Sequence, residues 1–234
     1  MIGRRTIATA AHCVYDGEKV VDKSQMNVYA GVHNLNHKTT PIRYVDEIIV
    51  DEIYDGPNVE FTGHDIAVLI LTEDIQDENV VPICVPETNH APYADQYMTV
   101  AGWGRTEDGK ENLPKESKIQ HLPRNKCTTI RRNNLLDKNY VLATVLAKSK
   151  IPTTDICARN MLTGADACKG DSGGPLMWQA PNGRWYLLGV VSRGDADCGS
   201  RNGVPGLYTR VREFLKRPEY KEIDQPDLCF RNYD

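Results

Sequence analysis

The chain has 234 residues, 40% hydrophobic and 26% charged, enough to bury a full core as one large β domain or two smaller ones. Its net charge of -4, mixed along the chain rather than blocked, leaves no electrostatic footprint for nucleic acid. No apolar run approaches the ~20 residues needed to span a bilayer, and the start lacks a charged segment followed by an apolar signal core.

Taken in chain order, short stretches rich in β-branched and aromatic residues predict strands at 26–32 (MNVYAGV), 42–50 (IRYVDEIIV), 65–72 (DIAVLILT), 98–103 (MTVAGW), 184–192 (RWYLLGVVS) and 206–211 (GLYTRV). Turn clusters at 55–58 (DGPN), 180–183 (APNG) and 202–206 (NGVPG) punctuate them, a spacing that belongs to barrels or sandwiches. The Pro-rich polar segment 84–97 reads as a crossover between two halves. Helix is scarce: a short one is expected over 211–218, ended by Pro218, and another within 139–148. There is no internal repeat and no low-complexity tract.

The seven cysteines, Cys13, Cys84, Cys127, Cys157, Cys168, Cys198 and Cys229, form no CxxC pair, which argues against zinc and thioredoxin-type chemistry. Scattered cysteines suit disulfides and an oxidising compartment, and the odd count leaves at least one without a partner inside the chain.

Chemistry concentrates in three motifs. DACKGDSGGP (166–175) sets Ser172 in a Gly-rich turn, where the backbone N–H groups of Gly170 and Ser172 can converge on an oxyanion formed at an attacked acyl carbon. A serine is a weak nucleophile until a base takes its proton, and that base needs an acid to fix its tautomer. TAAHC (8–13 with its preceding Ala) supplies His12, and HDIAVL supplies Asp65 at the head of an apolar strand, where a charge is costly unless paired.

The order His, Asp, Ser and the motifs TAAHC, HDIAVL and GDSGGP resemble the chymotrypsin-fold serine peptidases. The resemblance continues through PICVP (82–86), AGWG (101–104), DICA (155–158), GVVSRG (189–194) and PGLYTRV (205–211), and so covers nearly the whole chain. It implies an all-β, trypsin-like fold of two six-stranded Greek-key barrels: an incomplete first barrel over 1–83, the crossover 84–97, a second barrel over 98–211, and a C-terminal helix and tail over 212–234. It also implies a serine endopeptidase with His12 as general base, Asp65 as orienting acid, Ser172 as nucleophile and Gly170 with Ser172 as the oxyanion hole. Asp171 is then the carboxylate that receives a new N-terminus on activation. Asp166 matches the base of the primary pocket, where a carboxylate selects Arg or Lys, with Ser192, Arg193, Gly194 and Gly206 along the substrate-binding wall.

By the same resemblance Cys127 pairs with Cys157 and Cys168 with Cys198. A third family bridge is missing at both ends, with Met98 and Trp178 in its place. Cys84 stands where many zymogens tether an upstream chain. It is also one candidate partner for Cys229. TVAGWGRTE, KGDSGGPLM and VPGLYTRV are most similar to invertebrate clip-domain proteases, implying a secreted cascade enzyme with an upstream activating protease and protein inhibitors as partners.

Arg193 replaces the aromatic residue usual in the family after Ser192. Either it joins Arg131, Arg132, Lys138, Lys148 and Lys150 in a basic face that prefers acidic residues upstream of the cleaved bond, or its head extends into solvent. His64 stands where the family has Asn and is expected to be structural, because neighbours on a strand face opposite ways. The segment 33–45 has no Asp or Glu, so no calcium site is expected, and no cofactor or other metal. Before TAAHC the family carries a cleavage site, a new N-terminal residue and a cysteine that pairs with Cys13. The chain as written is therefore expected to be inactive. A non-catalytic protease homologue that binds partners is the other reading, and the intact His12, Asp65, Ser172 and Asp166 favour the enzyme.

Overall fold

The computed structural model describes residues 1–37, 39–56, 62–87, 97–106, 109–110, 112–138, 150–194, 203–216 and 229. Strand Ala67–Leu71 organises the first half, because its run AVLIL is apolar on both faces. Side chains alternate along a strand. Ala67, Leu69 and Leu71 therefore meet Val14, Val45 and Ile75, while Val68 turns the other way onto Leu187, Val190, Val211 and Phe214. One strand thus serves the core of its own half and the seam with the second half.

Numbered in chain order, the strands of the first half are β1 (Thr6–Thr9), β2 (Asn27–Tyr29), β3 (Ile42–Val50) and β4 (Ala67–Leu71). They form an antiparallel sheet in the order β1-β4-β3-β2. The second half is a closed barrel made by β5 (Tyr97–Gly102), β8 (Lys115–His121), β9 (Asp155–Arg159), β12 (Gly206–Arg210), β11 (Trp185–Arg193) and β10 (Pro175–Gln179), neighbours in that order. A two-stranded ribbon, β6 (Arg105–Thr106) with β7 (Gly109–Lys110), stands beside it. The all-β expectation holds, with one open sheet and one closed barrel among the described residues.

One helix differs from the sequence expectation. Helix α1 covers Arg124–Lys138, where the sequence predicts no helix. It offers few apolar residues, and Thr128, Thr129 and Asn134 donate to the carbonyls of Arg124, Asn125 and Ile130, a habit of residues that weaken helix propensity. Tertiary anchoring holds it: Cys127 and Ile130, three positions apart, pack on Leu122, Ile151 and Leu207, and Cys127 is bonded to Cys157 as expected. Helix α2 covers Val211–Leu215, inside the expected 211–218, and buries Val211 and Phe214 in the seam. The helix expected within 139–148, residues 88–96 of the crossover, and Pro218 lie outside the described residues.

Cys84 is bonded to Cys229 across 145 residues of chain. This corrects the reading of Cys84 as an external tether. Both sulfurs sit in the barrel core, where Cys84 bridges to Tyr186, so the terminal segment is stitched to the start of the crossover. Met98 and Trp178 occupy the same cluster, filling with apolar volume the place of the absent bridge. Cys168 is also disulfide-bonded, and its expected partner, Cys198, lies outside the described residues. Cys13 is free and exposed.

Candidate active site

Asp65 is 1% exposed, and a carboxylate at that depth must be fully hydrogen-bonded. Oδ1 accepts the backbone N–H of His12 at 2.9 Å, and Oδ2 accepts from His12 Nδ1 at 2.8 Å and from the Ser192 hydroxyl at 2.6 Å. Burial alone would raise the Asp65 carboxyl, but the bonds from His12 and Ser192 outweigh it and hold the acid below its usual range. An ionised carboxylate only accepts, so Nδ1 carries the proton and Nε2 is the basic nitrogen of the neutral ring. The bond to Asp65, helped by the Cys13 thiol, pushes the imidazole up to about 10.

Local backbone explains how these groups arrive together. His12 lies in the single tight turn Ala11–Cys13 that follows β1, and Asp65 lies two positions before β4, the strand paired with β1. Gly63 and His64 both have positive φ, +68° and +64°, and swing the chain so that Asp65 points inward. For a histidine that conformation is unusual. His64 is held in it by Nδ1 against Asp51 Oδ2 at 2.9 Å, while Asp51 Oδ1 accepts from Ile53 N–H at 2.9 Å. His64 therefore turns away from Asp65, in line with the structural role expected for it.

The turn bearing Ser172 is pressed onto this dyad. A Cβ at Gly173 would fall 2.3 Å from Thr9 Oγ1 and 3.3 Å from Cys13 Sγ, so only glycine lets the Ser172 turn sit against the His12 turn. Ser172 itself is exposed. Gly170 has φ +98°, a conformation that glycine adopts freely. Among the described residues, neither its N–H nor that of Ser172 donates to a backbone carbonyl. Asp171 points away: Gly104 N–H donates to Oδ1 at 2.8 Å and Cys168 N–H to Oδ2 at 2.9 Å. A Cβ on Gly104 would lie 2.5 Å from both Asp171 oxygens, so the loop AGWG leaves a space shaped to that carboxylate.

Beside Ser172 opens a cleft of about 300 Å³, lined by Ala167, Cys168, Lys169, Ser172, Ser192, Arg193, Gly194, Gly206 and Tyr208 among others. Asp166 is not in the wall but directly behind it. Gly206 N–H donates to Oδ2 at 2.6 Å, Ala167 N–H donates to Oδ1 at 2.8 Å, and the Tyr208 hydroxyl also donates to Oδ1. Burial pushes the Asp166 acid up to about 6 against those bonds, and the Tyr208 phenol rises well above its usual value, mainly through its own burial. At the far end of β9 the buried Arg159 guanidinium donates to the carbonyls of Gly203 and Gly164, and its charge helps keep Asp166 ionised.

Arg193 departs from both sequence expectations. Its guanidinium neither reaches into solvent nor stands as a free cation in the cleft, because it turns inward and pairs with Asp155 at 2.5 Å, itself wholly buried. A basic face that includes Arg193 therefore loses its central charge. Arg131 donates to the Pro205 carbonyl, Arg132 and Lys150 are exposed, nothing is described of the Lys138 side chain, and Lys148 lies outside the described residues.

Asp155 and Tyr208 were the residues sequence reasoning missed. Asp155 heads the buried strand DICAR, and the cost that singled out Asp65 applies there too. Tyr208 is two positions past Gly206 on one strand and so shares its face. Tyr15 and Tyr54 pack edge to face with centroids 5.6 Å apart. The Tyr54 phenol is raised to about 12 by burial and by the nearby Asp65 charge.

The Trypsin family model matches residues 1–217. The chain is 35% identical to the CLIP domain-containing serine protease HP8 of Bombyx mori and 33% identical to the CLIP domain-containing serine protease B15 of Anopheles gambiae, in each case over 92% of this chain and 58% of the relative. It thus spans little more than half the length of those relatives. Neuropsin, a serine protease of mouse brain, superposes with a TM-score of 0.70 at 26% identity, covering 92% of this chain and 84% of its own. A family match over that span, joined to a buried Asp65 that holds His12 against the Ser172 turn, means that the chain belongs to the trypsin family of serine proteases.

Proposed function

We propose that this chain carries a trypsin-like serine endopeptidase that cleaves after Arg or Lys through an acyl-enzyme. The observation that carries the reading is Asp65, which grips His12 by both its backbone N–H and its ring while the Ser172 turn packs on the same segment. In that geometry His12 Nε2 takes the Ser172 proton as Oγ bonds to the scissile carbonyl carbon, and the N–H groups of Gly170 and Ser172 receive the oxyanion. The imidazolium, stabilised by Asp65, then gives the proton to the leaving amine, and water repeats the sequence to release the acid.

Asp166 supports the choice of a cationic side chain. It places negative charge behind Gly206 and Tyr208 at the wall of the cleft, and at neutral pH its carboxyl, with a value of about 6, is mostly ionised. The shaped space around Asp171 supports a role in activation, with its carboxylate receiving the ammonium of an N-terminus freed by an upstream protease. The disulfides suit an oxidising, extracellular setting. The insect relatives are named as CLIP domain-containing serine proteases, which suits a protease acting on protein substrates; a cascade setting and restraint by protein inhibitors rest on the resemblance to that group.

Hydrolysis of an Arg-anilide by a protein that carries this chain behind an activation site, before and after cutting at that site with an Arg-specific protease, tests the reading. Activity after cutting that is lost in Ser172→Ala, with preference for Arg lost in Asp166→Ser, is the expected result. Absence of Ser172-dependent hydrolysis in both states would instead favour a non-catalytic homologue that binds partners.

A further inference from the structure

We propose that Arg193 is a positioning residue of the catalytic group: anchored by Asp155, its guanidinium fixes the Ser192 hydroxyl that donates to Asp65. This rests on the enzyme reading above. The chain of contacts is continuous. Arg193 Nη2 meets Asp155 Oδ2 at 2.5 Å, Arg193 Nη1 donates to Ser192 Oγ at 3.1 Å, Ser192 donates to Asp65 Oδ2 at 2.6 Å, and the same oxygen holds His12 Nδ1 at 2.8 Å.

Consecutive residues of a regular strand point to opposite faces, so Ser192 and Arg193 would not ordinarily meet. Here β11 carries a bulge: Val191 opposes Tyr208 and Arg193 opposes Leu207, leaving Ser192 as the extra residue. A bulge re-aims side chains, and this one lets the guanidinium reach its neighbour's oxygen. A serine hydroxyl has one proton and can swing it among several directions. With Arg193 occupying a lone pair of Oγ, the proton is left to point at Asp65. Asp155 holds the cation at a depth where Arg193 is only 13% exposed, and its Oδ1 lies 3.1 Å from where a Cβ on Gly63 would stand, against the turn that carries Asp65. The network therefore starts and ends on the segment that aims the catalytic acid.

Steady-state kinetics on an Arg-anilide, with the activated parent protein, Arg193→Met and the double variant Arg193→Met/Asp155→Asn, tests this. The single variant removes the cation beside the buried Asp155 and is checked for folding by its melting curve. The double variant removes both charges together, and its melting curve is expected to stay close to that of the parent. Both are expected to lose kcat by about ten-fold, the scale of one lost charge-assisted hydrogen bond, with KM within about two-fold of the parent. A double variant with parental kcat would mean that the pair only stabilises the fold, and a loss confined to KM would mean that Arg193 only contacts substrate. Either overturns the proposal while leaving the enzyme reading intact. A parent without Ser172-dependent hydrolysis overturns both.

Discussion

Asp166 should make the folded protein lose stability relative to its amide counterpart as pH rises to neutral. Its acid is raised by burial from 3.8 to about 6, so the native state holds this proton more tightly than the unfolded chain does. The sign follows: the contribution to stability is fully present below 3.8 and is lost as pH rises through about 6. A rise of that size corresponds to about 3 kcal/mol at 1.36 kcal/mol per unit. Asp166→Asn cannot titrate, but its amide meets Gly206 N–H where the carboxylate accepted it, at a constant cost of about 1–3 kcal/mol. That constant cancels when the gap between variant and parent is followed with pH. Urea unfolding of both proteins at pH 4.0 and 7.5 is expected to show the gap moving in favour of Asp166→Asn by up to about 3 kcal/mol toward pH 7.5. A gap that stays constant, or moves in favour of the parent, would refute the assignment of Asp166 as a buried carboxylate kept for binding rather than for stability.

Further outcomes concern the pocket, the base and the terminal staple. Gly206→Ala places a Cβ 2.7 and 2.9 Å from the Asp166 oxygens, so KM for an Arg-anilide should rise by about ten-fold or more, and an unchanged KM would show that Asp166 is not the recognition group. His12 must be neutral to take a proton and the Cys13 thiol helps hold it above 6.5, so Cys13→Ala should move the acidic limb of kcat/KM toward lower pH; a limb that stays put or rises contradicts this. Cys229→Ser opens the link to Cys84 and should cost about 2–5 kcal/mol in thermal or urea unfolding, against a loss below ~1 kcal/mol if the bond is incidental.

The sequence was most informative where chemistry constrains several residues at once. Ser172, His12, Asp65 and Asp166 sit in motifs whose residue types have few other uses, and the β-branched runs mark β3, β4, β5, β11 and β12 to within two residues. Helix α1 was not legible because its stability comes from the Cys127 anchor and the packing of Ile130 beside it rather than from periodicity. The destination of Arg193 was hidden for a related reason. A cation after Ser192 reads as exposed unless the bulge in β11 and the carboxylate of Asp155 on β9, 38 positions away, are both in view. Cys84 was one candidate partner for Cys229, but the sequence could not choose it over an external tether, since connectivity follows from which strands meet in space, and that is set by packing across the whole barrel.

The most direct test of Ser172 as a nucleophile activated by His12 is covalent capture. The activated protein would be treated with a fluorophosphonate and its peptides mapped by mass spectrometry. One adduct on Ser172 is expected, blocked by an arylamidine that fills the cleft in front of Asp166 and absent in His12→Ala. Labelling elsewhere, or labelling of Ser172 that persists at the same rate in His12→Ala, would contradict the assignment.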